Sequence, residues 1–208
     1  MPKINRLYAL MLVVVAGFIG YVLYKNFVYD AGANAFLQHK TGRAVHLPVW
    51  LKIMNIHIGV AILAMLCGAL NFLPKLHATH RKLHRANGYM YVTSVMLVSL
   101  TSGYMAPYST GGKAVSIAFN LLNIVWPAMT VIAIMRIRKK RVQAHREWMV
   151  RSYAYCFTNM LIHLVTCMLH NGAGVAYVTS YTISVYSSLI LLPLAAEAVN
   201  RQWRVMRR

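Results

Sequence analysis

The sequence predicts an all-α fold: a polytopic membrane helical bundle of six transmembrane helices with both termini cytoplasmic, built as one integral membrane domain over residues 1–208. Three observations lead there. Hydrophobic residues make up 59% of the chain and charged residues 12%, with a mean hydropathy of +0.51, well beyond an ordinary soluble domain. Six apolar runs approach the roughly 20 residues that a helix needs to cross a hydrocarbon core. The 22 Lys and Arg, against 3 Asp and Glu, lie mostly between those runs, where they act as orientation signals and contacts to anionic lipid, not as a nucleic-acid surface.

The spans are taken in chain order. The first, Leu7 to Tyr24, has the Lys3 and Arg6 of a signal peptide before it but no small-x-small cleavage site after it, and reads as uncleaved. The second runs from Ile53 to Phe72. The third, Tyr89 to Tyr104, is short. The fourth, Ala114 to Met135, contains Trp126 and Pro127, and the proline predicts a kink. The fifth and sixth run from Ser152 to Leu169 and from Ala176 to Ala198. Each must be helical, because lipid offers backbone amides no partners. With both termini inside, only Lys25, Lys40, Arg43, Lys52 and Lys113 fall outside; every other cation is cytoplasmic, as the positive-inside rule asks. That orientation suits a bacterial inner membrane. Trp148 and Trp203 sit near inner ends, as interfacial anchors do. The loop from Lys25 to Lys52, with Asp30, His39, His46 and Trp50, reads as a lid, a partner surface or a connector.

Chemistry is carried by the 9 histidines. His57 lies four residues in from the outer start of the second span and His163 six from the outer end of the fifth, so their depths agree within roughly 3 Å at 1.5 Å per residue. Two imidazoles at one depth can grip a metal or a haem iron between two helices; equally, each can donate a hydrogen bond across a helix interface and ligate nothing. On the cytoplasmic side, His77, His80 and His84 are spaced i, i+3 and i+7 and could hold zinc or copper, although no carboxylate or thiolate accompanies them and Pro74 interrupts the register. His145 lies 18 residues before His163; an unbroken helix would put both on one face, about 27 Å apart along its axis. Arg81, Lys82, Arg85 and Arg146 suit haem propionates, lipid phosphate or an anionic reductant, or simply mark a cytoplasmic loop.

Other reaction classes lack parts. No Ser-His-Asp set, phosphate-cradling glycine loop or dinucleotide fingerprint is present, and Asp30, Glu147 and Glu197 are too few acids for a proton-pumping relay. Cys67, Cys156 and Cys167 fall in apolar runs without disulfide or zinc spacing. Thr158, Asn159, Thr166, Tyr177, Tyr181 and Tyr186 could line a quinone or substrate cleft or form an interfacial belt.

Two cytoplasmic helix entries echo one another: His84-Arg-x-x-Gly88-x-x-Tyr91 and His145-Arg-x-Trp148-Met149-x-Arg151-Ser152-Tyr153. Together with His57-Ile-Gly, they resemble the bacterial membrane proteins grouped as DUF2306, over roughly Ile53 to Leu169. A second, architectural resemblance is to the cytochrome b561 and ferric-reductase-like cytochromes. It implies one or two haem b groups as cofactor, with His57 and His163 at an outer iron, His84 and His145 at an inner one, and Arg85 and Arg146 near propionates. The departure is that His84 and His145 precede the apolar runs. The function so implied is electron transfer, from quinol or another donor. The alternative is a non-redox transporter or metal- or lipid-binding protein with a histidine-lined cavity; a structural or assembly partner is a third reading. No catalytic residue is assigned.

Overall fold

The structure is a computed structural model describing residues 6–30, 32–38 and 46–205; at Arg6, Leu7, Ala35, Phe36, Pro74, Lys75 and His77 it describes the backbone alone. Every regular element among them is helical: α1 (Arg6–Leu23), continued by a π-helical turn at Tyr24–Tyr29, then α2 (Asn34–Leu37), α3 (Leu47–Asn71), α4 (Pro74–Thr79), α5 (Arg81–Met105), α6 (Gly112–Arg138), α7 (Val142–Ala154), α8 (Thr158–Cys167) and α9 (Tyr177–Val205).

Five helical stretches among the described residues are long and apolar enough to cross a membrane: Tyr8–Tyr29, Leu47–Asn71, Gly112–Arg138, Val142–Gly172 and Tyr177–Val205. The expected third span lies on α5, which has 25 residues. Its length suffices, but cations fill its first turns and Thr93, Ser94, Ser99, Thr101 and Ser102 dilute the rest. The other helices outrun their apolar cores. Lys and Arg stems extend a helix past the hydrocarbon while the charge stays in water, so α7 begins well before Ser152.

The chain divides into two compact units, residues 1–38 with Leu47–Val98, and 39–46 with residues 99–208. In the first, α1 and α3 run antiparallel: Tyr8 near the start of α1 donates to the Ala69 carbonyl near the end of α3 at 2.9 Å. Asn87, on the early turns of α5, donates to the Cys67 carbonyl at 2.7 Å. Leu73 is extended because it precedes a proline, and Pro74 opens α4 at a position whose N–H no helix needs.

In the second unit α6, the α7–α8 rod and α9 pack together. Positive φ at Gly111 and Gly112 turns the chain into α6. At the other end of α6, Arg141 donates to the Arg136 carbonyl at 2.9 Å and Lys140 takes φ 58°, a Schellman-type stop with lysine where glycine is usual. Along α9 the buried positions Ser180, Ser184, Ser188, Leu192, Ala196 and Asn200 recur every fourth residue. A period of 4 on a 3.6-residue helix winds slowly around it. The stripe accordingly meets α8 at one end, where Thr166 donates to Ser184 at 2.9 Å, and α7 at the other, where Asn200 donates to the Glu147 carbonyl at 3.3 Å. Small side chains suit this close approach, since lipid supplies no hydrophobic drive between helices. Val115, Ala118, Ile162 and Val185 form a buried cluster beside it.

Candidate functional site

The candidate histidines divide between the units: His57 and His84, with Arg85, in the first; His145 and His163, with Arg146, in the second. Each expected ligand pair therefore draws one histidine from each unit.

His57 stands on the third turn of α3, half-buried, and its ring is hydrogen-bonded to the backbone of Val98 on α5. Mid-helix, the Val98 carbonyl is the group able to accept, so one ring nitrogen is the donor and the other keeps its lone pair. His84 and Arg85 fall inside α5, not ahead of it as the apolar boundary suggests; His84 is half-buried and Arg85 exposed. The i, i+3, i+7 histidine set is not one helical face. His80 sits exposed at the joint between α4 and α5, with φ −120° and ψ 61°, so His80 and His84 belong to different segments. The side chain of His77 and all of His39 lie outside the described residues. Among those described, no three His, Cys, Asp or Glu side chains gather where a metal ion could sit.

In the second unit the His145 motif is spent residue by residue on helix pairing. His145 Nδ1 lies 2.8 Å from the Ala133 carbonyl of α6. A carbonyl only accepts, so Nδ1 carries the proton and Nε2 is the free lone pair. The Arg146 guanidinium stacks 3.6 Å above the Trp203 ring of α9. Glu147 takes a two-pronged ion pair from Arg204, at 2.7 and 2.9 Å. Arg151 pairs with Glu197 at 2.8 Å and lies over the Trp148 ring at 4.8 Å. Ser152 and Thr130 of α6 share a 2.7 Å hydrogen bond, and Met149 and Tyr153 are buried. Trp148 and Trp203, expected as interfacial anchors, serve here as cation–π partners. The earlier motif behaves alike: Tyr91 is fully buried, Asn87 bonds α3, and a Cβ at Gly88 would lie 3.8 Å from Asn71 Nδ2.

His163 is half-buried on α8, next to the buried Ile162 and one turn before Thr166. The single face expected for His145 and His163 does not survive. Between α7 and α8, Tyr155–Phe157 form a 3-10 turn. Three residues at about 120° instead of 100° turn the faces of α8 by about 60° relative to those of α7. Sequence reasoning also missed the Glu147–Arg204 and Arg151–Glu197 pairs. The signal was there, because Glu147 and Glu197 are two of only 3 acids and both sit among arginines near helix ends.

Comparison with known proteins agrees with this picture: the family described as "predicted membrane protein (DUF2306)" matches residues 54–199. The chain belongs to the DUF2306 family. The match takes in both His-Arg motifs and His57, and leaves α1 outside it. No curated protein and no solved structure matches the chain. As a DUF2306 member with five long, strongly apolar helical stretches among the described residues, it is an integral membrane protein.

Proposed function

We propose that this DUF2306 protein is a b-type cytochrome-like electron carrier of the bacterial inner membrane, crossing six times with both termini cytoplasmic and holding haem between histidines of different helices. The observation that carries the reading is the tether on His145. Its Nδ1–H is fixed to the Ala133 carbonyl, which sets the tautomer and aims Nε2 as a neutral donor. Metal-bound imidazoles are held this way, with a carbonyl or carboxylate on the second nitrogen. His57, bonded to the Val98 backbone, repeats the arrangement. In this reading His57 and His163 would hold an outer group, His84 and His145 an inner one, and Arg85 and Arg146 would face propionates. When bound, such a group would supply one-electron chemistry; the chain supplies ligand orientation and low dielectric. The six-span topology is supported by α5, since 25 helical residues reach about 37 Å.

A specific observation favours a second reading, in which the family motifs are architectural. Arg146, Glu147, Arg151 and Ser152 are all engaged by neighbouring helices. The histidine-lined transporter or binding protein has no comparable support. Reduced-minus-oxidised spectra decide between the two. The electron-carrier reading expects Soret and α bands in the wild type and loss of the outer centre alone in the His57→Ala, His163→Ala double variant. The architectural reading expects colourless protein and lowered thermal stability.

A further inference from the structure

The middle of α6 carries polar groups that the fold leaves unanswered. Trp126 is 5% exposed, yet among the described residues its Nε1–H has no hydrogen-bond partner, and neither does the buried Nδ2 of Asn123. At 100° per residue these side chains leave α6 within about 60° of one another on successive turns. Pro127 has no N–H to offer the Asn123 carbonyl. The next polar group along the face is satisfied: Thr130 bonds both the Trp126 carbonyl, at 2.9 Å, and Ser152. The deficit is thus local to Asn123 and Trp126. Opposite Asn123, α5 presents Gly103, where an added Cβ would lie 3.9 Å from Asn123 Nδ2. One turn earlier is Ser99, buried, with its hydroxyl also unpartnered among the described residues.

Two unpaired N–H donors are costly in hydrocarbon and call for an acceptor. The depth narrows its identity. Lys113 and Arg136 mark the ends of the apolar stretch of α6, and Asn123 and Trp126 lie within about 3 Å of its centre. Lipid ester carbonyls sit at the edges of a core about 30 Å thick, some 15 Å away. The helix's own charges are equally far, so the acceptor is neutral. We infer that the Asn123–Trp126 face of α6 binds the carbonyl of a lipid-soluble quinone. The two unanswered donors stand on their own; the choice of a quinone among neutral carbonyl compounds rests on the electron-transfer reading.

The test uses decylubiquinone and the full chain in dodecyl maltoside, a detergent without carbonyls. Equilibrium dialysis should find one saturable site. Trp126→Phe and Asn123→Leu should each weaken it about two- to tenfold, as loss of one hydrogen bond implies, and Gly103→Leu should abolish it by crowding the Asn123 amide. Infrared difference spectra with isotope-labelled quinone carbonyls should show a hydrogen-bonded, lowered stretch that reverts in Trp126→Phe. A purely non-saturable partition, an unshifted carbonyl in the wild type, unchanged affinity in a variant carrying both Trp126→Phe and Asn123→Leu, or an equal shift given by a diester phospholipid instead of the quinone would each overturn the site. Quinone binding to colourless protein would keep the site and remove the haem reading; haem bands without quinone binding would do the reverse.

Discussion

His145 is asked to do two things with two nitrogens, and the two can be separated. Replacing it with Ala removes the 2.8 Å bond to the Ala133 carbonyl together with a half-buried ring. Interhelical hydrogen bonds in membranes average about 0.6 kcal/mol and reach about 1.7. The Ala133 carbonyl keeps its place in the α6 ladder, so no full desolvation penalty is added. With some lost packing the total is about 1–2 kcal/mol, or about 2–8 °C in Tm for a chain of this length. Asn at this position places an amide nitrogen on Cγ, where Nδ1 stood, and can donate to the same carbonyl, but has nothing at Nε2. His145→Asn should therefore lose less than half the Tm that His145→Ala loses, while both lose the inner haem signal alike. Thermal melts in detergent, read beside optical spectra, test this. Equal destabilisation by the two variants would refute the tether; an unchanged spectrum in both would refute ligation.

The turns and latches give further expectations. A Cβ at Gly111, where φ is +90°, would stand 2.5 Å from Val115 Cγ2 and 2.8 Å from Thr182 Oγ1, whereas at Gly112, φ +64°, it would meet open space. Gly111→Ala should lower Tm by several degrees more than Gly112→Ala, which carries only left-handed strain of about 1–2 kcal/mol. Lys140→Gly, relieving that strain at the α6 stop, should raise Tm by about 2–4 °C in the same melts. Glu147→Ala frees Arg204, and limited trypsin digestion should then cut at Arg201 and Arg204 faster than in the wild type. Asn87→Leu should cost about 0.6 kcal/mol by loss of its bond to the Cys67 carbonyl, measured by unfolding in mixed micelles.

The all-helical fold and the placement of the apolar runs were legible because lipid leaves a spanning backbone no other choice. The contacts made by the residues around His145 were not. What pairs with Glu147 lies 57 residues away on α9, and contacts at that separation leave no local pattern. The 3-10 turn at Tyr155–Phe157 was invisible for a different reason: Ala154-Tyr155-Cys156-Phe157-Thr158 contains no Gly or Pro to announce it. The break at His80 was half-announced by Pro74, which opens α4 rather than ending a helix. Helix ends differ from the apolar boundaries where basic residues continue a helix beyond the apolar core, as at His84 and His145. Asn123 gives no signal in the sequence because a single amide in an apolar run looks ordinary until its partners are sought.

Haem content per chain tests the central claim most directly. Protein expressed with ample haem, purified in mild detergent and assayed by pyridine haemochrome, should carry between one and two b-type haems per chain, reducible by dithionite with a sharp α band. Protein that is folded by thermal melt and holds no haem would contradict the account, leaving the histidines as helix-pairing residues.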